Sequence, residues 1–304
     1  MVTRWYPILF MMASTFSLSL TGLVSKFLTD HFEVSLLSFL RFIVPAMMLV
    51  LVFVGREVRW PSPNEQLSLW IRALCLGLSQ VCFIFSLQHL TLMESVVLFA
   101  TGPLFIPVLE NLIFTTPIKV VNTIGLVVTF VGVTMLSSDE SQISIRLELI
   151  VGLCAGLFNA GSQLSLYKIS QSRLNAFEIN FWSFLYAAVV VVPILTFSFI
   201  DNRTMYQPLD DGPWLVIIAL SLLGLMVINT QVFRSKAYQL ASSGSELAPV
   251  IYTNLVFTAL WQCLFFQKTY SNVQVYGLIL IILTNVVCAT CSYLGDKNHS
   301  RHTS

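Results

Sequence analysis

Charge is scarce in this chain. Only 10% of its 304 residues are Asp, Glu, Lys or Arg, while 56% are hydrophobic; soluble domains carry about a quarter charged residues. So few charges cannot cover a water-facing surface, which excludes an ordinary soluble fold. The 16 basic residues balance 15 acidic ones to a net charge of +1, and without a concentrated basic face nucleic acid is excluded as a partner. Catalytic signatures are missing too. There is no H-E-x-x-H and no G-x-S-x-G, and His31, His89, His299 and His302 all fall in loops or tails. An enzyme inside a membrane needs acid, base or metal groups at depth, so the reading is not an enzyme, and it calls for no cofactor and no metal. All six cysteines fall within apolar runs. A thiol pair such as Cys288 and Cys291 in an apolar helix is read as packing material rather than redox machinery.

What is present is hydrophobic length. Ten apolar runs of roughly 20 residues, the length a helix needs to cross hydrocarbon, centre near Leu18, Pro45, Leu78, Pro103, Val128, Leu157, Val189, Leu225, Thr258 and Leu283. Connections are short and leave no room for a soluble domain. The first run follows Arg4 as a signal peptide would, but it continues unbroken from Pro7 to Phe27 without an A-x-A cleavage site, so it is read as a retained helix. With the N-terminus in the cytoplasm, Lys26, Arg146, Arg203 and Lys268 fall outside, while eleven basic residues, Arg72 and Arg234 among them, fall at inner connections. That bias predicts both termini inside and an even number of spans.

The chain also repeats itself. Glu94 and Gly125 align on Glu246 and Gly277 at an offset of 152, Gln80 and Gln88 on Gln231 and Gln239 at 151, and Glu33 with Ser38-Phe39-Leu40 on Glu178 with Ser183-Phe184-Leu185 at 145. Lys26 and Lys168 close the first helix of each half. Each half holds five helices, an odd number, so the second half enters the membrane with opposite polarity. The expected fold is therefore an all-α membrane protein of ten transmembrane helices in two inverted five-helix repeats. Residues 1–140 form the first, helices 1 to 5, and residues 141–304 the second, helices 6 to 10 with a short cytoplasmic tail. Such an arrangement puts a binding site between the halves near the midplane.

The stretch Ser35 to Pro45, the pattern from Glu94 to Gly132 and its counterpart from Glu246 to Leu283 resemble the EamA group of the drug/metabolite transporter superfamily. The resemblance covers nearly the whole chain and implies a five-plus-five exporter or exchanger of small metabolites. Two features depart from the group: its usual Trp-Gly is absent around Phe16 and Ser17, and its Glu after the fourth helix of each half is here Thr116 and Lys268.

Candidate functional residues are the polar groups expected within spans. Gln80 and Gln231 are repeat-related amides. Ser17, Thr21 and Ser25 in the first helix match Asn159, Gln163 and Tyr167 in the sixth, at spacings of three to four that make one polar stripe. Such a stripe faces a neighbouring helix or a water-filled cavity. Trp182 and Tyr186, one turn apart, would give an apolar wall with hydrogen-bonding edges or simple packing. Glu94 and Glu246 read as capping-box glutamates, after Thr91 and Ser243. Pro103, Pro107 and Pro249 interrupt backbone bonding where they fall. Glu110, beyond Pro107, is the candidate for proton coupling, with an interfacial pairing to Lys119 as the plain alternative. Arg41 is the candidate anion anchor, with a fixed bond to a neighbouring helix as its alternative.

The resulting expectation is a secondary transporter in a bacterial inner membrane that exports or exchanges small amphipathic, amino-acid-like metabolites by alternating access. Its partners are a small-molecule substrate, the lipid bilayer and, as an option, a second copy of the chain in a homodimer. One alternative is a nucleotide-sugar or organic-phosphate exchanger, set back because only Arg41 is expected deep among the cations. Another is a membrane scaffold or receptor without transport.

Overall fold

The computed structural model describes residues 6–54, 58–114, 120–139, 142–143, 147–201, 206, 213–240, 247–266 and 271–302. The side chain of Glu110, and Thr116, Lys119, Glu246 and Lys268 entirely, lie outside the described residues. Apart from a two-residue hairpin, Ser138–Asp139 against Gln142–Ile143, every described element is a helix. In chain order these are α1 (Tyr6–Leu28), α2 (Val34–Val52), α3 (Pro63–His89), α4 (Leu92–Phe99), α5 (Gly102–Phe114), α6 (Val120–Ser137), α7 (Leu147–Ser170), α8 (Ala176–Ile200), α9 (Pro213–Leu240), α10 (Ala248–Ile251), α11 (Thr253–Phe265) and α12 (Asn272–His302). By length and composition α1, α2, α3, α7, α8 and α9 are apolar enough to cross a membrane, and shorter apolar stretches lie at Leu92–Ile106, Thr123–Gly132, Thr253–Phe265 and Asn272–Thr284. The protein is an integral, multi-pass membrane protein.

Two of the expected runs are broken. The fourth is split between α4 and α5, because Pro103 has no N–H to give the carbonyl of Phe99 and its ring crowds that carbonyl. The hydroxyl of Thr101 stands at the break, donating to the Leu98 carbonyl at 2.6 Å. The ninth run is split between α10 and α11, where Thr253 donates to the Val250 carbonyl at 2.8 Å. Thr101 and Thr253 are separated by the same 152 residues that relate Glu94 to Glu246 and Gly125 to Gly277. Each broken run is seated on a neighbour: a Cβ on Gly156 of α7 would stand 2.6 Å from Thr101 Oγ1 and 2.8 Å from the Leu98 carbonyl, while Thr253 Oγ1 lies 2.8 Å from Thr15 Oγ1 of α1.

The start of α4 is a capping box: Glu94 accepts from the Thr91 backbone at 2.8 Å and its hydroxyl at 2.7 Å. Gln262 of α11 adds an acceptor for the Met93 N–H at 3.2 Å. These bonds satisfy donors that a helix start otherwise leaves bare in a medium without water. The helices associate mainly as α1 with α9, α3 with α7, α2 with α8 and α6 with α12. The buried core runs along α2, α3, α4 and α8 through Leu37, Phe42, Ile84, Leu98 and Phe184.

Candidate functional site

A polar cavity lies among α1, α2, α3, α7, α8 and α9. Its walls include Thr21, Arg41, Gln80, Asn159, Gln231 and Arg234, closed by apolar groups such as Leu76, Phe99, Phe184 and Val227. It is narrow, with a volume of about 30 Å³, room for roughly two or three waters. Among the described residues no acidic one lines it.

Arg41 projects from the middle of α2 and is 5% exposed. One of its N–H groups donates to Ser25 Oγ, and Ser25 donates onward to the Thr21 carbonyl at 2.5 Å. The guanidinium carbon sits 5.7 Å from the centroid of the Phe83 ring, a cation–π contact. Only that single Arg41 donor has a described hydrogen-bond acceptor. The rest of the fork borders the cavity.

At another level of α3 lies a second group of cations. Arg72, fully buried, donates to Asn180 Oδ1 at 3.0 Å and more loosely to Gln231 Oε1 at 3.4 Å. Asn180 is held by bonds to the Ala176 carbonyl at 2.7 Å and to Ser235 Oγ at 2.9 Å, and Ser235 donates to the Gln231 carbonyl at 2.8 Å. Arg234 is 2% exposed and lies within electrostatic range of Arg72 and Tyr238. The Nε of Arg234 and the Nε and Nη1 of Arg72 are buried without a partner, as are Gln80 Oε1 and Thr230 Oγ1. Burying a guanidinium costs several kcal/mol unless it is paired and hydrogen-bonded.

Arg72 and Arg234 correct the sequence reading. Both were assigned to inner connections from the spacing of apolar runs, yet α3 and α9, of 27 and 28 residues, extend past the runs and carry both arginines inward. Arg41 is therefore not the only cation buried within the protein. Of the other expected residues, the structure brings Arg41, Gln80, Asn159 and Gln231 to the one cavity. Gln163 stands just outside it, donating to Asn159 Oδ1 and accepting from the Tyr238 hydroxyl, both at 3.4 Å. Tyr167 meets Tyr238 edge-on at 6.2 Å. Trp182 and Tyr186 lie away from the cavity. Trp182 donates to the Arg59 carbonyl at 3.1 Å and packs on Trp60, fastening the segment before α3 to α8, and Tyr186 stacks flat on Trp70 at 4.5 Å. Glu110 belongs to α5, with its side chain outside the described residues.

Among the described residues no cluster of three or more metal-ligating side chains occurs. A multi-pass helical membrane protein with a buried, cationic, amide-lined cavity between its helices has the build of a solute carrier. The sequence pattern of the EamA-like transporter family matches residues 5–138 and again residues 146–289. The chain belongs to this family, and it is a membrane transporter rather than an enzyme. The pseudopaline exporter CntI of Pseudomonas aeruginosa is 25% identical over 215 residues, covering 71% of this chain and 72% of that protein. An uncharacterized transporter of Helicobacter pylori is 23% identical over 286 residues, covering 90% and 92%. A solved crystal structure matches with a TM-score of 0.57 at 16% identity over 96% of each chain, which is a likeness of fold.

Proposed function

We propose that this protein is a secondary active carrier that exports or exchanges small amphipathic, amino-acid-like solutes across a bacterial inner membrane by alternating access. In this reading it has ten spans, with residues 1–140 and 141–304 as inverted repeats and both termini cytoplasmic. The observation that carries it is the cavity itself, which holds Arg41, Arg234 and three amide side chains and, among the described residues, no acidic group. A carboxylate meets a planar guanidinium fork there, and amides meet the rest of an amino-acid-like solute.

The pattern of helix association supports two repeats related by exchange of the halves. Exchanging the halves turns the pair α1 and α9 into α7 and α3, and returns α2 with α8, and α6 with α12, to themselves. All four are the main associations of the fold. Outward transport is supported by the relative named as an exporter. The narrowness of the cavity fits a state closed around its site, which must widen before a solute enters. An organic-phosphate exchanger is a second reading, favoured by the burial of Arg72 and Arg234 beside Arg41.

Flux in reconstituted liposomes tests the proposal. Labelled amino acids with one and two carboxylates should be moved by the protein and not by empty liposomes, whereas a scaffold or receptor moves neither. Glu110 is the residue through which protons would couple. Glu110→Gln should flatten the pH dependence of flux, and an unchanged pH profile removes it from that role.

A further inference from the structure

We infer that the site is built for a solute with two anionic groups flanking a hydrogen-bond donor, one anion held by Arg41 and the other by Arg234 with Arg72 behind it. This rests on the carrier reading above and narrows its substrate class.

The two cationic positions are separate. Arg41 lies over Phe83, whereas Arg234 is within electrostatic range of Arg72. Phe83 and Arg72 are eleven residues apart on α3, about 16 Å at 1.5 Å rise per residue. Arginine side chains reaching inward shorten that gap, and the two guanidiniums still approach the cavity from different levels, so each can meet an anion of its own. A monoanion therefore leaves one guanidinium uncompensated in a buried site, at a cost that a second anion removes.

The roles of the two lower arginines differ. Arg72 is fixed by Asn180 and positions the field. Arg234 has no described hydrogen-bond acceptor and borders the cavity, with Thr230 beside it. Between the two cationic levels Gln80 presents an oxygen that no protein donor meets. An amine or hydroxyl between two anionic groups would satisfy it. A ligand of this kind uses the orphaned groups at both levels of the cavity, which a simple amino acid does not.

Binding to the purified full-length protein in lipid nanodiscs tests this with defined probes: alanine, 2-aminoadipate and phosphoserine. The two-anion probes should bind at least about tenfold tighter than alanine. Arg234→Gln should erase that advantage, while Arg234→Lys, which keeps the charge, should retain part of it. A gain for phosphoserine alone supports the two-anion site and makes its second group a phosphate; a gain for 2-aminoadipate makes it a carboxylate. Equal binding of all three, or an advantage that survives Arg234→Gln, overturns the inference and leaves the carrier reading standing. Flux of alanine with no gain from a second anion has the same meaning. Absence of both binding and flux for every probe rejects the amino-acid carrier reading itself.

Discussion

An arginine near the middle of a membrane helix costs about 2.5 to 3.5 kcal/mol on insertion scales, so its retention calls for a compensating partner. For Arg41 the described protein partners are one serine hydroxyl and one aromatic face, less than a fork of five donors can use. In the proposed reading the rest meets a solute. Arg41→Lys keeps the charge and loses the planar fork, and it should leave the protein folded while weakening carboxylate-bearing solutes by about tenfold, roughly the 1.4 kcal/mol of one lost charge-assisted bond. Competition assays in liposomes read this directly, and an equal loss for neutral solutes would make Arg41 structural. Asn180 is the contrasting case. It touches the Arg72 guanidinium and Ser235 and does not line the cavity. Asn180→Leu should lower stability by about 1.5 to 3 kcal/mol, because it leaves a buried charged donor bare, as measured by unfolding in detergent. Of the residues lining the cavity, Arg41, Gln80, Asn159 and Gln231 were legible from the sequence because polar groups stand out in apolar runs. Arg72 and Arg234 were hidden by the same signal, since a charge at the end of an apolar run looks like the start of a loop. A buried helix extension that carries the charge inward is visible only when the neighbouring helices are in place.

At the scale of the element, the broken runs are the informative ones. The sequence put prolines at 103, 107 and 249 into the fourth and ninth runs, which made interruption legible; where the chain would part was not. The answer lies in Thr101 and Thr253, whose hydroxyls serve carbonyls three residues back. A threonine hydroxyl bonding within its own turn leaves no pattern in hydropathy. The break also needs a partner surface that comes close, and α7 provides it at Gly156, where even one methyl would press on the Leu98 carbonyl at 2.8 Å. Backbone cannot step aside as a flexible side chain does. Gly156→Ala is thus expected to destabilise the protein by about 1 to 3 kcal/mol through overpacking. Gly22→Ala is its control, because its added methyl meets only side chains of Leu92 and Val96, at 3.4 Å and 3.6 Å, and should be nearly neutral. Equal melting temperatures for the two variants would mean that the seat of α4 and α5 on α7 adjusts more freely than its geometry implies.

For the whole molecule, helical class and membrane residence were plain from charge scarcity and apolar length, because hydrocarbon admits few other ways to satisfy a backbone. The pairing of helices was not plain, since a row of leucines faces lipid and protein equally well. Pairing carries the remaining argument about topology. The loop segment at Phe32, between α1 and α2, bridges to Tyr206, between α8 and α9, so these two connections lie at one end of the bundle. Arg59, before α3, meets Arg173, between α7 and α8, at connections that a five-plus-five inversion assigns to the opposite end. If the first connection after a cytoplasmic N-terminus is outside, the one after α8 is outside with it, and those carrying Arg59 and Arg173 are inside, in keeping with their charge. The expected outcome is that reporter fusions or single cysteines placed after Asp139 and Asp210 report the outer face, while positions beside Arg59 and Arg173 report the cytoplasm. Cytoplasmic labelling after Asp139 would give the first five-helix unit an even number of crossings, and the two halves would then share one polarity instead of opposing each other.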